Sequence, residues 1–256
     1  KTMSFPVTVG LDNGGEKVTS TDSHGRSLGV RGVTPDGRVF RWAENGAVAL
    51  QAGVLVQGVA ANSSLDAALN VVAPTTGVTQ LSIAVVASSG DDGVTTKDWY
   101  KDGYVTVDTS PGQAIFSIKS HPAKTSTGAE TVVFQFGDND IIREAMTSGT
   151  TKVGLRPSPY KDTIVAPTTI TGPIIGVVQT AVPASSFYWV QESGWALANT
   201  DVAPAVNTAL IFGGTSAGHL NARTSALDDI PEISIGHSVD AGAGADKTNF
   251  IKLALS

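Results

Sequence analysis

Hydrophobic and polar positions break this chain into many short apolar runs separated by turn residues. Ile174 to Val178 is apolar, Pro183 sits in a small-residue turn, and Phe187-Tyr188-Trp189-Val190-Gln191 then brings aromatic and β-branched residues suited to a pleated, half-buried surface. Ser193-Gly194 reads as a second turn and Trp195 to Ala198 as a third apolar run. Three short strands in meander order are expected, with no room for a helix between them. A related pattern closes the chain: Ile233 to Val239 with Ile235-Gly236, the loop Asp240 to Asn249, then Phe250-Ile251-Lys252-Leu253. In both places a strand carrying Ile-Gly is answered by one led by Phe, which predicts one barrel or sandwich from Thr171 onward.

Upstream, Val30 to Val33 leads into Pro35-Asp36-Gly37, a turn in which Pro fixes φ and Gly accepts positive φ. Arg38 to Trp42 alternates polar and apolar with period two, as a hairpin strand does, and Val54 to Val56 follows the Asn45-Gly46 turn. Further strands are expected at Gln80 to Ala87, Tyr100 to Val107, Gln113 to Ser120 and Val132 to Phe136. Asn139 to Met146 alone has a helical pattern, with Asp138 as cap and Ile141, Ile142, Ala145 and Met146 on one face. Residues 1–27 hold turn clusters and few apolar side chains, so they form an arm that is mobile or ordered by lying on something else. Pro157, Pro159, Pro167 and Pro173 mark a linker. The expectation is a mainly β fold in three parts. An N-terminal arm and β-hairpin region occupies 1–60, a central β-rich part with one short helix 61–165, and a C-terminal β-barrel or sandwich 166–256.

Composition narrows the partners. The 256 residues include 28 glycines, no cysteine, and 23 acidic against 17 basic side chains, a net charge of -6. Without cysteine there are no disulfides and no thiolate metal ligands. A thinly spread negative charge with no basic block makes nucleic acid an unexpected partner. No apolar run reaches the roughly 18 residues of a membrane-spanning helix, so no membrane partner is expected. Lys1 to Gly10 carries no apolar signal core, which predicts no secretory targeting.

Candidate chemistry is sparse. Gly214-Thr215-Ser216-Ala217-Gly218 matches the G-x-S-x-G nucleophile elbow, with Asp228, Asp229 and His237 following in the order of α/β-hydrolases. That elbow needs alternating strands and helices around it, which this sequence does not offer. Asp138-Asn139-Asp140 resembles the start of a calcium loop, but Arg143 stands where the loop needs glycine, and helix capping is the better account. Asp91-Asp92 and Asp228-Asp229 fall in loops and read as solvated. His24, His121, His219 and His237 lie far apart without metal-ligand spacing, and no phosphate-cradling glycine loop is present. No catalytic residue, no cofactor and no metal site is expected. Arg31, Arg38, Arg41 and Trp42 form either a solvated strand face or a contact patch, arginine and tryptophan being the types that most often anchor interfaces.

Several segments together resemble the capsid decoration, or cement, proteins of tailed bacteriophages and related head structural proteins. They are Thr34 to Trp42 with Ala47 to Val56, Tyr100 to Val107 with Ile118 to Pro122, and Ile175-Gly176, Phe187 to Gln191, Ser193-Gly194, Ile235-Gly236 and Phe250 to Leu253. The resemblance implies a non-enzymatic virion protein made in the host cytoplasm and carried on the capsid exterior. It implies a homotrimer that binds the major capsid protein and stabilises the head lattice. It brings no catalytic residues with it, and the assignment of Arg31, Arg38, Arg41 and Trp42 to the capsid-facing side rests on residue type alone. The alternative is a virion receptor-binding or carbohydrate-binding β module, with Tyr188, Trp189 and Trp195 stacking on sugar rings.

Overall fold

The computed structural model describes residues 8–60, 65–66, 69–72, 76–85, 94–109, 113–138, 140–212, 215–223, 234–241 and 247–255. They are almost entirely β. Two compact units form, one from Ala61–Ser158 and one from Pro6–Ala60 together with Pro159–Ser256.

Four strands precede the inserted unit: β1 (Val9–Gly10), β2 (Arg31–Val33), β3 (Val39–Glu44) and β4 (Leu55–Gln57). The insert contributes β5 (Leu69–Val72), β6 (Gln80–Val85), β7 (Tyr104–Val107), β8 (Ala114–Ser120), β9 (Glu130–Phe136) and β10 (Lys152–Arg156). These close into a six-stranded barrel in the order β10-β5-β6-β9-β8-β7. Strict alternation produces its core: β6 turns Leu81, Ile83 and Val85 inward, and β9 turns Val132, Phe134 and Phe136 inward. Each such side chain contributes about 1.5–3 kcal/mol on burial, and closure leaves no strand edge along the ring. Phe116 and Phe136 stack with centroids 4.4 Å apart.

The helix expected over Asn139 to Met146 does not form. Residues 140–146 run as irregular chain along the barrel, and Asn139 lies outside the described residues. Ile142 donates its N–H to the Val78 carbonyl at 3.0 Å and accepts from Gly77 N–H at 2.7 Å. The expected cap, Asp138, pairs with Lys119 instead, and the Asp140 carboxylate takes both the N–H and the hydroxyl of Ser117, at 2.7 and 2.6 Å. Ile142 and Met146 still bury as the apolar pattern demands. Tertiary hydrogen bonds have overridden a modest helical propensity.

After the insert come β11 (Ile164–Val165), β12 (Ile174–Val178), β13 (Phe187–Thr200), β14 (Ala209–Phe212), β15 (Leu220–Ala222), β16 (Ser234–Ser238) and β17 (Lys247–Ala254). They share one eleven-stranded sheet with β1 to β4. The long strand β13 organises it. Its first half pairs with β3 on one side, Trp189 opposite Trp42, and with β12 on the other, Val178 opposite Val190. Its second half pairs with β17 from Ser193–Ala254 to Thr200–Lys247. The pairings close two rings. One runs β13-β15-β14-β16-β17 and back to β13, around Ala196, Ala198, Leu210, Ile235 and Ile251. The other runs β3-β13-β12-β4-β11, completed by the Asn45–Thr163 bridge, around Val56, Val178, Tyr188 and Val190.

Three expectations change here. Ser193-Gly194 is not a turn: β13 runs through it, with a bulge between Gln191 and Ser193 opposite β3. Gly194 has φ 95, a backbone state that side chains other than glycine rarely adopt, and Gln191 Nε2 donates to the Ser193 and Trp195 carbonyls at 3.1 and 2.8 Å. The strand therefore bends without ending. The first and third sequence parts also do not separate, because β3 and β13 pair along Val39 to Glu44. Lastly, the linker expected near Pro157 to Pro173 is largely structured and holds β11 against β4. The paired Ile-Gly and Phe strands are found as antiparallel neighbours, β12 with β13 and β16 with β17.

Candidate functional site

The hairpin carries Arg31 and Arg41 on one face and Phe40 and Trp42 on the other, which the arm covers. From residue 8 the arm lies on its own chain. β1 pairs in parallel with β2, Leu11 N–H reaches the Val33 carbonyl at 2.9 Å, and Ser20 exchanges two backbone hydrogen bonds with Phe187 at 2.7 and 3.0 Å. Leu11 packs against Gly32 so closely that a Cβ there would stand 2.6 Å from Leu11 Cδ1 and 2.8 Å from the Trp189 ring. Leu11, Phe40, Trp42 and Trp189 make a small buried cluster under the arm, and the Arg26 guanidinium sits 5.1 Å from the Trp42 ring centroid. The ordering that the sequence assigned to an outside surface is thus supplied within the chain.

Trp42 is fully buried and belongs to that cluster, so it is no surface contact. The strand that looks half solvated from its alternation is covered on both faces, which period two alone does not reveal. The arginines divide. Arg41 pairs with Glu192 at 2.9 Å and donates to the Gly29 carbonyl at 3.2 Å. Arg38 pairs with Asp36 at 2.8 Å and reaches the buried Glu16 at 3.5 Å. The Thr34 hydroxyl and then Arg38 hold the Asp36 carboxyl below its ordinary value against the opposing effect of desolvation. Arg31 faces solvent directly across from Arg41 in the β2–β3 register and makes no ion pair among the described residues. Of the expected patch, Arg31 is the exposed member.

The G-x-S-x-G segment folds as a turn stapled by Asp201, at the end of β13, and Gly214 lies outside the described residues. Asp201 accepts from Ser216 N–H at 3.1 Å, Thr215 Oγ1 at 3.3 Å and His219 Nδ1 at 3.0 Å. Burial pushes the Asp201 carboxyl up, but the hydrogen bonds from Ser216 and Thr215 and the charge of His219 outweigh it and hold the group below its ordinary range. The Ser216 side chain also turns to this carboxylate. A serine bonded to the acid and not to a histidine base is arranged for holding a loop. His237 is on β16, on the exposed side of the sheet, and Asp228 and Asp229 lie outside the described residues. Among the described residues no group of three or more His, Cys, Asp and Glu is placed to hold a metal ion. No helix among them is long and apolar enough to cross a membrane.

Of the aromatics considered for sugar stacking, Tyr188 and Trp189 are buried, whereas Trp195 is 46 % exposed. Trp195 stacks on Phe250 with centroids 5.5 Å apart and planes at 21°, and Lys252 Nζ stands 5.8 Å from its ring. The alternation of Trp195-Ala196-Leu197-Ala198 is the sequence signal for this face, since it puts the small residues inside and the large ones out.

No protein-family model matches the chain, and neither a curated protein nor a solved structure matches it.

Proposed function

We propose that the chain is a structural protein of a tailed-bacteriophage head, bound as a homotrimer to the outer surface of the capsid lattice through the major capsid protein. One observation carries this reading. The segments that resemble decoration proteins run from Thr34 to Leu253, and most of them lie in one sheet. Thr34 to Trp42, Ala47 to Val56, Ile175-Gly176, Phe187 to Gln191, Ile235-Gly236 and Phe250 to Leu253 all belong to the eleven-stranded sheet around β13. Tyr100 to Val107 and Ile118 to Pro122 meet in the other unit through the β7–β8 and adjoining contacts, with Tyr104 opposite Ser117.

In this reading the β2–β3 hairpin presents Arg31, on the face opposite the arm, to the lattice, and three copies engage three neighbouring capsid subunits at once, gaining avidity that one weak contact lacks. The test adds the purified chain to undecorated heads and quantifies bound copies on a mass-resolved gel. The expected result is saturation at a stoichiometry that scales with the major capsid protein. Absence of binding, or the few copies of a tail adhesin, overturns the reading. Sedimentation of the isolated chain at tens of micromolar, an order-of-magnitude choice above ordinary oligomer affinities, tests the trimer.

A further inference from the structure

We propose that the solvent face of β13, β16 and β17 is a binding site for an acidic sugar. The assignment stands whether or not the chain rides on a capsid.

The face is built against the usual distribution of side-chain size. On β13 the inward positions are Ala196 and Ala198, and the outward ones are Trp195 and Leu197, 46 % and 50 % exposed. Phe250, opposite Leu197 on β17, is exposed too and stacks on Trp195. Scattered exposed apolar residues need no explanation, but three contiguous large ones on a single face mark a binding surface. Flat, exposed aromatic rings suit the C–H face of a pyranose, which is apolar while its rim carries hydroxyls.

Polar groups flank the rings in register. Trp195 on β13 is opposite Lys252 on β17, which is opposite His237 on β16, so the three form a row across neighbouring strands. All three are exposed. Together with Val206, Asn207 and Val239 they border a shallow cavity of about 450 Å³, within the size range of small-molecule sites. Lysine, histidine and asparagine supply donors for the sugar rim.

Charge selects the sugar. The chain as a whole carries -6. Yet the outward positions Trp195, Leu197, His237, Phe250 and Lys252 include a lysine and neither Asp nor Glu. A lysine beside an aromatic platform, with no carboxylate among those outward positions of an otherwise acidic protein, complements a carboxylate-bearing pyranose such as a uronate or a sialate.

Isothermal titration of the full chain with trigalacturonate and 3′-sialyllactose tests this, with methyl-esterified trigalacturonate and lactose as uncharged counterparts. At least one acid is expected to bind about tenfold or more tightly than its uncharged counterpart, Trp195→Ala to weaken that binding by a similar factor, and Lys252→Gln to erase the preference for acid. Trp195→Phe, which keeps a stacking ring, is expected to retain most of the affinity. No binding of either acid overturns the proposal, as does binding unchanged in Trp195→Ala. Sedimentation gives one more overturning outcome: if the wild type self-associates and Trp195→Ala does not, a second copy of the chain covers this face.

Discussion

His121 accepts the backbone N–H of Tyr100 on its Nε2 at 3.0 Å, while its Nδ1 stands 2.8 Å from the Pro122 carbonyl oxygen. A ring nitrogen that accepts carries no proton, so the barrel holds a neutral imidazole with its hydrogen on Nδ1. Burial lowers the His121 pKa below the ordinary 6.5, against smaller raising effects from the Pro122 carbonyl and the Asp98 charge. The ring is 2 % exposed and packs between Tyr100 and Phe134.

That geometry gives the insert a pH dependence. With the folded pKa below the unfolded one, the unfolded state binds more protons between the two values, so stability rises with pH across that window. The contribution is fully present above pH 6.5 and is lost as pH falls below it toward the lowered folded value. One proton limits the slope to about 1.4 kcal/mol per pH unit. Urea unfolding midpoints of the barrel unit, measured from pH 5 to 8, should climb with pH, and His121→Gln should flatten that climb. An equal slope in the variant would remove His121 from the account.

Arm docking depends on the missing side chain at Gly32. An added Cβ would meet Leu11 Cδ1 at 2.6 Å and the Trp189 ring at 2.8 Å. Overpacking of this kind costs about 1–3 kcal/mol, and the arm offers the easiest escape. Gly32→Ala should expose residues 12–28 to limited proteolysis while the sheet retains its β circular dichroism. Protection equal to wild type would show that Trp189 moves and the arm stays.

Asp201 and Ser216 should separate a stapled turn from a nucleophile. Asp201→Ala strips acceptors from Thr215, Ser216 and His219 together, and should lower stability by about 2–3 kcal/mol, the cost of unmaking several buried polar contacts. Ser216→Ala leaves the Ser216 N–H bond to Asp201 in place and should cost less than about 1 kcal/mol. Head binding should survive Ser216→Ala. Ester hydrolysis by the wild type that vanishes in this variant would reverse the reading.

The three arginines should behave differently. Arg41→Ala strands Glu192, whose side chain is 13 % exposed, and should cost about 1–2 kcal/mol after allowance for the partial exposure of Arg41 at 28 %. Arg38→Ala removes the partner of Glu16 and should act in the same direction. Arg31→Glu should leave the thermal midpoint within a degree or two, as surface changes do, and reduce occupancy on undecorated heads. Unchanged occupancy would move the proposed lattice contact off this face.

Strand positions were largely legible because each barrel strand obeys period two, as Leu81, Ile83 and Val85 do. What the sequence conceals is how many faces of a strand are covered. Arg38-Val39-Phe40-Arg41-Trp42 alternates as a half-exposed strand would, but the arm seals the outer side and Trp42 disappears beneath Arg26. Ser193-Gly194 has turn chemistry, and only pairing with β3 and β17 reveals that the residues bend a continuous strand. Asn139 to Met146 has a helical apolar face because Ile142 and Met146 do point inward. Its backbone bonds go to Gly77 and Val78, sixty-odd positions away, beyond the reach of any local pattern. The Trp195 face was visible as large and small residues in alternation, but its Lys252 and His237 row depends on registers between strands distant in sequence.

The insertion of one unit within the other has a consequence for how this chain can change. Ala60 and Pro159 bound the host sheet on either side of the insert, and within that sheet Gly58 and Pro159 touch: a Cβ on Gly58 would lie 2.1 Å from the Pro159 carbonyl oxygen. The host therefore sees the whole of 61–158 as a single long loop with neighbouring ends. Closing such a loop costs little more for a hundred residues than for a dozen, because the entropy grows only with the logarithm of length. The barrel is in effect a cassette. Replacing 61–158 by a few glycines is expected to leave the register of the strands that hold β13 unchanged.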